Sequence, residues 1–323
     1  MRPVTHVLRM TMNIQENAIS FDVGGFRLNS ILISSKSLAA GNTALFIHGA
    51  STSLLDPLYT FHNKRFDDIQ MLFVDRPGHG RSEEGPVDNI RPDAQADAIA
   101  TLMQRRGIDN AILIGHSYGG AVTAALAVRY PKLVGGLIFL SPAVYPWVGG
   151  ISWYNNLAKA PIIGALFSLL VAPTIGLLSL RTAMKSVFTP NEYPTGYTCW
   201  TKAWQALRPR AFRHNARELG ALCDWAETAH EQYKRIAAPT IIITGDTDDI
   251  VSPDVHARQL AKDIARSELL VIKGMGHKSD HVAQDLVVAA IEKLAGRKID
   301  LSFIAAQVEH QIIDEEKNGK RPI

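Results

Sequence analysis

Apolar residues fall along this chain in short unbroken runs, and between the runs they recur every three or four positions. The runs predict buried strands over residues 44–48, 71–75, 111–115, 137–141, 240–245 and 269–273. The wider spacing predicts helices over residues 92–106, 118–129, 253–264 and 280–294. Strand and helix alternate, which predicts an α/β fold: a mostly parallel, doubly wound sheet with helices on both faces. Ahead of these elements, "ISFDVGGFRLNSILIS" predicts an antiparallel hairpin turning at Gly24-Gly25.

One crossover is out of proportion. Between Ser141 and Pro239 about a hundred residues carry no strand pattern, too many for a loop, so they predict an inserted helical domain. The chain then divides into an α/β core over residues 1–141 and 233–298, a helical, aromatic-rich lid insertion over 142–232, and a helical and polar tail over 299–323. The last residues, "DEEKNGKRPI", are expected to fray. All five tryptophans (147, 153, 200, 204 and 225) fall in the insertion, with Tyr145, Tyr154, Tyr193 and Tyr197. A small subdomain packing its own core explains part of this. An aromatic lid over an apolar pocket explains more, because insertions at strand ends sit where open α/β sheets bind ligands. Trp147 and Trp153 are expected to touch such a ligand.

Composition narrows the choices. A chain of 323 residues, 46% hydrophobic, can bury a large core. A net charge of +3 without a dense basic block argues against a nucleic-acid partner. Two cysteines, Cys199 and Cys223, exclude a disulfide scaffold and a cysteine-only zinc site, and both are expected to be small buried hydrophobes. The first twenty residues lack an apolar core with a cleavage site, so a cytoplasmic location is expected. Residues 160–180, from Ala160 to Leu180, carry no charged side chain, a length that just reaches across a bilayer. Pro173 in the middle predicts a break, so two short apolar helices are expected, buried or in peripheral contact with a membrane.

The chemistry is concentrated in "AILIGHSYGGAVTAALAV", residues 111–128, where a buried-strand pattern gives way at once to a helical one. Ser117 stands at the junction with glycine two places before and two after. A serine on so sharp a strand-to-helix turn presents its hydroxyl outward, and side chains at the flanking glycines would collide. The helix N-terminus aims N–H groups at the same place. A serine hydroxyl needs a base to take its proton, and the base needs an orienting carboxylate. Two later strands end in candidates: Asp246, Asp248 and Asp249 after one, His277 and His281 after the other.

Over residues 18–295 the sequence resembles the α/β-hydrolase family. The likeness rests on "HGAS" (48–51), "DRPGHGRS" (75–82), "GHSYGG" (115–120), "GDTDDIVSP" (245–253) and "GMGH" (274–277). It implies a nucleophile at Ser117, its acid at Asp248 and its base at His277. It also implies an oxyanion hole from the backbone N–H groups of Ala50 and Tyr118, and no metal or organic cofactor. His281 is expected at the substrate entrance, while His48, Asp75, Arg76 and His79 are expected to shape loops. Relatives that open epoxides or remove halogens carry aspartate at the elbow, so serine points to acyl transfer. The expected function is a carboxylesterase or lipase-like hydrolase acting on a small ester with an apolar part. Thioesterase, amidase, carbon–carbon hydrolase and perhydrolase chemistry stay open on the same scaffold, as does a low-turnover receptor for a small ligand.

Overall fold

The computed structural model describes residues 18–36, 41–148, 158, 168–169 and 172–318. β1 (Ala18–Asp22) and β2 (Arg27–Ile33) form the expected hairpin, with Gly24 and Gly25 at φ 113° and 94° in its turn. Then come β3 (Asn42–Ile47), α1 (Leu55–Phe61), β4 (Ile69–Val74), α2 (Pro92–Arg105), β5 (Ala111–His116), α3 (Tyr118–Arg129) and β6 (Val134–Leu140). The insertion contributes α4 (Ala172–Phe188), α5 (Tyr197–Trp200) and α6 (Pro209–Ala229). The chain returns through β7 (Thr240–Gly245), α7 (Ala257–Asp263), β8 (Ser267–Ile272), α8 (Ser279–Val282), α9 (Gln284–Leu294) and α10 (Leu301–Lys317).

The eight strands make one sheet in the order β1-β2-β4-β3-β5-β6-β7-β8, parallel from β4 onward and antiparallel at β1–β2 and β2–β4. Alternation along each strand divides its side chains between two cores. Leu45, Ile47, Leu72, Val74, Leu113 and Phe139 face one core, shared with α2, α3 and part of α6. Phe46, Phe73, Ile112, Ile114, Ile138 and Ile243 face the other, shared with α1, α9 and α10. Burial on both faces is why these strands read as unbroken apolar runs rather than alternating ones.

Several expectations are corrected. The segment 280–294 is two helices, because Ala283 leaves helical geometry at ψ 35°. Of residues 160–180, those before 172 lie largely outside the described residues. From Ala172 the chain is a single helix that passes Leu180 and runs to Phe188. Pro173 lies within this helix, which continues past it to Phe188, so the chain does not break there. Ile175, Leu177 and Leu178 on this helix are exposed. Among the described residues no helix is long and apolar enough to cross a membrane. Cys199 is exposed and Cys223 half-buried, neither a core residue.

The C-terminal segment packs rather than frays through Lys317. Asp300 caps α10 by accepting from the N–H groups of Ser302 and Phe303, at 3.0 and 3.2 Å, and Leu301, Ala305, Val308 and Ile312 enter the second core. Ile312→Ala should therefore cost about 2–4 kcal/mol in denaturant unfolding, whereas the neighbouring exposed Ile313→Ala should cost much less. Equal tolerance of both would show the helix to be detached.

The start of the insertion is tied down by one imidazole. His256 Nδ1 accepts from the N–H groups of Val144 and Tyr145, at 3.2 and 3.0 Å, so the ring must be neutral there. Burial, opposed in part by the Asp248 charge, lowers its pKa from 6.5 to about 4. Between those two values the unfolded chain binds the extra proton, so stability falls as pH drops through that window. His256→Asn keeps an acceptor near Nδ1 without the titration. It should flatten the pH dependence of the unfolding free energy between about 6.5 and 4, and an unchanged slope would assign the titration elsewhere.

Candidate active site

β5 stops at His116 and α3 starts at Tyr118, leaving Ser117 alone in the turn at φ 53° and ψ −118°. Its backbone is fixed on both sides: the N–H donates to Leu140 O at 3.0 Å, and the carbonyl accepts from Gly120 N at 2.9 Å and Ala143 N at 3.1 Å. The glycines are a packing requirement. A Cβ on Gly119 would lie 2.1 Å from Ile47 O, and one on Gly115 would lie 2.3 Å from Thr123 Oγ1 and 2.4 Å from Gly119 O. With no side chains in the way, β5, α3 and the end of β3 close together and leave the Ser117 side chain half-buried at the carboxyl edge of the sheet.

Two and three strands further along the same edge, after β7 and β8, Asp248 and His277 meet: His277 Nδ1 lies 2.9 Å from Asp248 Oδ2, both residues buried. The geometry separates the three candidate carboxylates. Asp246 accepts from Gly274 N at 2.7 Å and Asp249 is exposed, so Asp248 is the one that meets the imidazole. Asp248 Oδ1 accepts from Ile250 N and Val251 N, at 3.0 and 2.9 Å. Burial raises its pKa, but the His277 bond and charge with these two N–H groups outweigh it and hold the carboxyl below its ordinary value. His116, next to Ser117, reaches across to the same loop: its Nε2 is 2.9 Å from His277 O, and the two rings are 4.9 Å apart. Among the described residues no hydrogen bond joins Ser117 Oγ to His277.

The loop after β3 closes against the elbow, where a Cβ on Gly49 would lie 3.3 Å from Ser117 Cβ. Among the described residues neither Ala50 N–H nor Tyr118 N–H donates to a protein acceptor. The loop rests on Arg76, which is fully buried. Its Nε donates to His48 O at 3.0 Å and its Nη2 to Gly49 O at 2.9 Å.

The insertion supplies polar side chains that sequence reasoning passed over. Glu218 Oε1 is 2.9 Å from Arg76 Nη1, and its Oε2 is 2.7 Å from His79 Nε2. Asn215 accepts from Ser51 N at 2.7 Å. Asn191 accepts from Gly276 N at 2.8 Å and donates to Gly274 O at 3.0 Å, bracing the turn that ends in His277. Tyr197 donates to Asp56, whose carboxylate also takes Lys278 Nζ at 2.8 Å. Lys278 bridges on to Asp280 at 3.0 Å. Two of these clusters have the composition of cation sites, His79–His214–Glu218 and Asp56–His116–Asp280. Each carboxylate pair or single carboxylate in them already holds a protein cation, Arg76 in the first and Lys278 in the second. The sequence signal for all this was faint: His214 and Glu218 at helical i,i+4 spacing look like an exposed face until the helix is seen packed.

The expected substrate contacts fare differently. Trp153 lies outside the described residues. Trp147 is half-buried against the first core with its ring 6.1 Å from that of His256. His281 stacks on Tyr59 at 5.7 Å and meets Phe188 in a T-shaped contact at 5.5 Å, so its ring is part of an aromatic cluster with Tyr197 and Trp200. Between the loop after Ala50 and the insertion lies an open recess lined by Ser51, Thr52, Asp56, Tyr197, Lys202 and Arg208 among others. Its wall carries two cations, Lys202 and Arg208, and the Asp56 carboxylate among apolar residues. Burial and the Arg81 and Arg208 charges together lower the Lys202 pKa.

Comparison with known proteins agrees with the fold. The profile described as alpha/beta hydrolase fold matches residues 43–279. The 2-(acetamidomethylene)succinate hydrolase of Mesorhizobium japonicum is 24% identical over 84% of this chain and 92% of its own. The 2-hydroxy-6-oxo-6-phenylhexa-2,4-dienoate hydrolase of Comamonas testosteroni is 26% identical over 77% of this chain and 86% of its own. Among solved structures, an esterase from Exiguobacterium antarcticum superposes with a TM-score of 0.65 at 19% identity, over 87% of this chain and 96% of that one. With a sheet of this order, a serine in the turn after β5, and a family match across most of its length, the chain belongs to the alpha/beta hydrolase fold family.

Proposed function

We propose that this hydrolase works through an acyl-enzyme at Ser117 and cleaves a carboxylic ester. The observation that carries the reading is the buried Asp248–His277 pair standing on the same sheet edge as a serine held in a strained turn. In the reaction, Ser117 Oγ attacks the ester carbonyl while His277 Nε2 takes the hydroxyl proton. Asp248 keeps the Nδ1 proton in place and balances the imidazolium. The oxyanion forms against the Ala50 and Tyr118 N–H groups, which have no competing protein acceptor among the described residues. Collapse expels the alcohol, protonated by His277. Water, deprotonated by the same nitrogen, then releases the acid and restores Ser117. The Ser117–His277 hydrogen bond is one that tightens as substrate enters. The insertion is the lid over this site.

Ser117→Ala and His277→Ala should each lower kcat for a p-nitrophenyl ester by about 10⁴-fold or more. Asp248→Asn should fall in the same range while leaving KM nearly unchanged, because the tautomer rather than binding is lost. Full turnover by the Ser117→Ala variant sinks the reading.

A second reading concerns the substrate and rests on the recess. Lys202 and Arg208 line it beside the loop that follows Ala50, which suits a substrate carrying a carboxylate away from the cleaved bond. Two relatives are named for hydrolysing a succinate derivative and a dienoate, both of which carry carboxylates. On this reading Lys202→Met raises KM for a carboxylate-bearing ester by about tenfold and leaves a neutral ester of equal length unaffected. Equal effects on both esters would return the substrate to the purely apolar class.

A further inference from the structure

We propose that Arg76 is a positioning residue for the oxyanion hole, polarising the Gly49–Ala50 peptide, and that Glu218 of the insertion holds it in place. The proposal rests on the acyl-enzyme reading, since it concerns the donor that faces the oxyanion.

The Gly49 carbonyl and the Ala50 N–H are the two ends of one planar group, so whatever grips the oxygen also aims the hydrogen. Three donors grip it: His48 Nδ1 at 2.8 Å, Arg76 Nη2 at 2.9 Å and Thr52 Oγ1 at 3.2 Å. The His48 tautomer follows from its other nitrogen, Nε2, which accepts from Arg76 N at 3.1 Å and leaves the proton on Nδ1. Donors on a peptide oxygen draw electron density from its nitrogen and strengthen the N–H as a donor in turn, and a charged donor does so most. Arg76 Nε grips the preceding carbonyl, His48 O, at 3.0 Å, so a single guanidinium fixes two successive peptides.

The same guanidinium lies 4.4 Å from the centre of the Tyr118 ring, whose hydroxyl donates to Ile90 O at 3.0 Å. Tyr118 carries the other N–H of the hole. One side chain with no exposed surface thus touches the Tyr118 ring and the carbonyl of the peptide whose N–H belongs to Ala50. A guanidinium in that position needs a counter-ion. Glu218 supplies it at 2.9 Å, and Gln95 bridges the pair, accepting from Arg76 Nη1 at 2.9 Å and donating to Glu218 Oε1 at 2.6 Å. Burial raises the Glu218 pKa, but the charges of Arg76 and His79 with the bonds from His214 and His79 keep it well below its ordinary value, so it stays ionised. One turn earlier on α6, Asn215 accepts from Ser51 N and fixes the residue after Ala50 at φ 57°. The insertion therefore sets the hole from behind, through α6.

A salt bridge that merely staples the insertion to the core would show up in stability. One that tunes the hole shows up in kcat. The test is the charge-neutral pair Arg76→Met/Glu218→Met, since removing both buried charges avoids leaving either one uncompensated. With cooperative thermal unfolding retained, KM for p-nitrophenyl butyrate should stay within about twofold, while kcat falls by about 10- to 100-fold, less than the loss of a whole donor. Affinity for a trifluoromethyl ketone, which forms a tetrahedral adduct with the serine, should fall in the same proportion. Thr52→Val, which removes one donor from Gly49 O at a half-buried position, should lower kcat by about threefold to tenfold at constant KM. A folded pair variant with wild-type kcat overturns the proposal. If the pair variant does not fold, wild-type kcat in Thr52→Val overturns it. Ser117→Ala assayed alongside separates the two failures: turnover retained there fells the acyl-enzyme reading itself, and turnover lost there confines the failure to Arg76.

Discussion

Ser117 adopts φ 53° and ψ −118°, a backbone conformation that costs an L-residue about 1–3 kcal/mol unless its surroundings hold it there. They do so from every side. β6 takes its N–H through Leu140 O, the stretch after β6 donates to its carbonyl through Ala143, and glycines at 115 and 119 let β5, α3 and the end of β3 close to contact. The strain persists because two cores, one on each face of the sheet, hold the strands and α3 rigid. The candidate catalytic residues lie on the carboxyl edge that this turn defines: Ala50 after β3, Asp248 after β7 and His277 after β8.

The insertion is tied to that edge by polar side chains. Asn191 braces the turn before His277, Asn215 the residue after Ala50, Glu218 the guanidinium beneath Gly49, and Tyr197 the Asp56–Lys278 pair beside the histidine loop. These contacts reach the core segments that follow β3, β4 and β8. Insertion and candidate site are therefore coupled through buried polar groups, where a lost partner is costly. Its aromatic residues are occupied differently. Tyr197 and Trp200 pack with Tyr59 of α1 in a cluster that takes in His281 and anchors the insertion, and of the two Tyr197 also lines the recess.

Much of this was legible in the sequence, for identifiable reasons. Central strands buried on both faces leave unbroken apolar runs, and open α/β sheets place ligand-facing residues just past the carboxyl ends of such runs, so Ser117, Asp248 and His277 stand out as candidates by position. What escaped was polarity put to internal use. Nothing local to Glu218 says that Arg76, more than a hundred residues earlier, will meet it, or that Asn215 will meet Ser51. The four apolar residues 301, 305, 308 and 312 keep helical spacing close to the charged end of the chain. Proline suggests a break by residue type, yet the helix runs from Ala172 through Pro173 to Phe188. Cys199 was assigned to the core on residue type alone, and it is exposed. Substrate identity depends on the recess wall, where Lys202 and Arg208 come together through the fold of the insertion rather than through spacing.

The central claim is that His277 activates Ser117. Reaction of the intact protein with a fluorophosphonate, mapped by peptide mass spectrometry, tests it without knowledge of the substrate. The account predicts one adduct per chain, on Ser117, formed far more slowly when His277 is replaced by alanine. Labelling at wild-type speed in that variant, or an adduct on another serine of a folded protein, would contradict it.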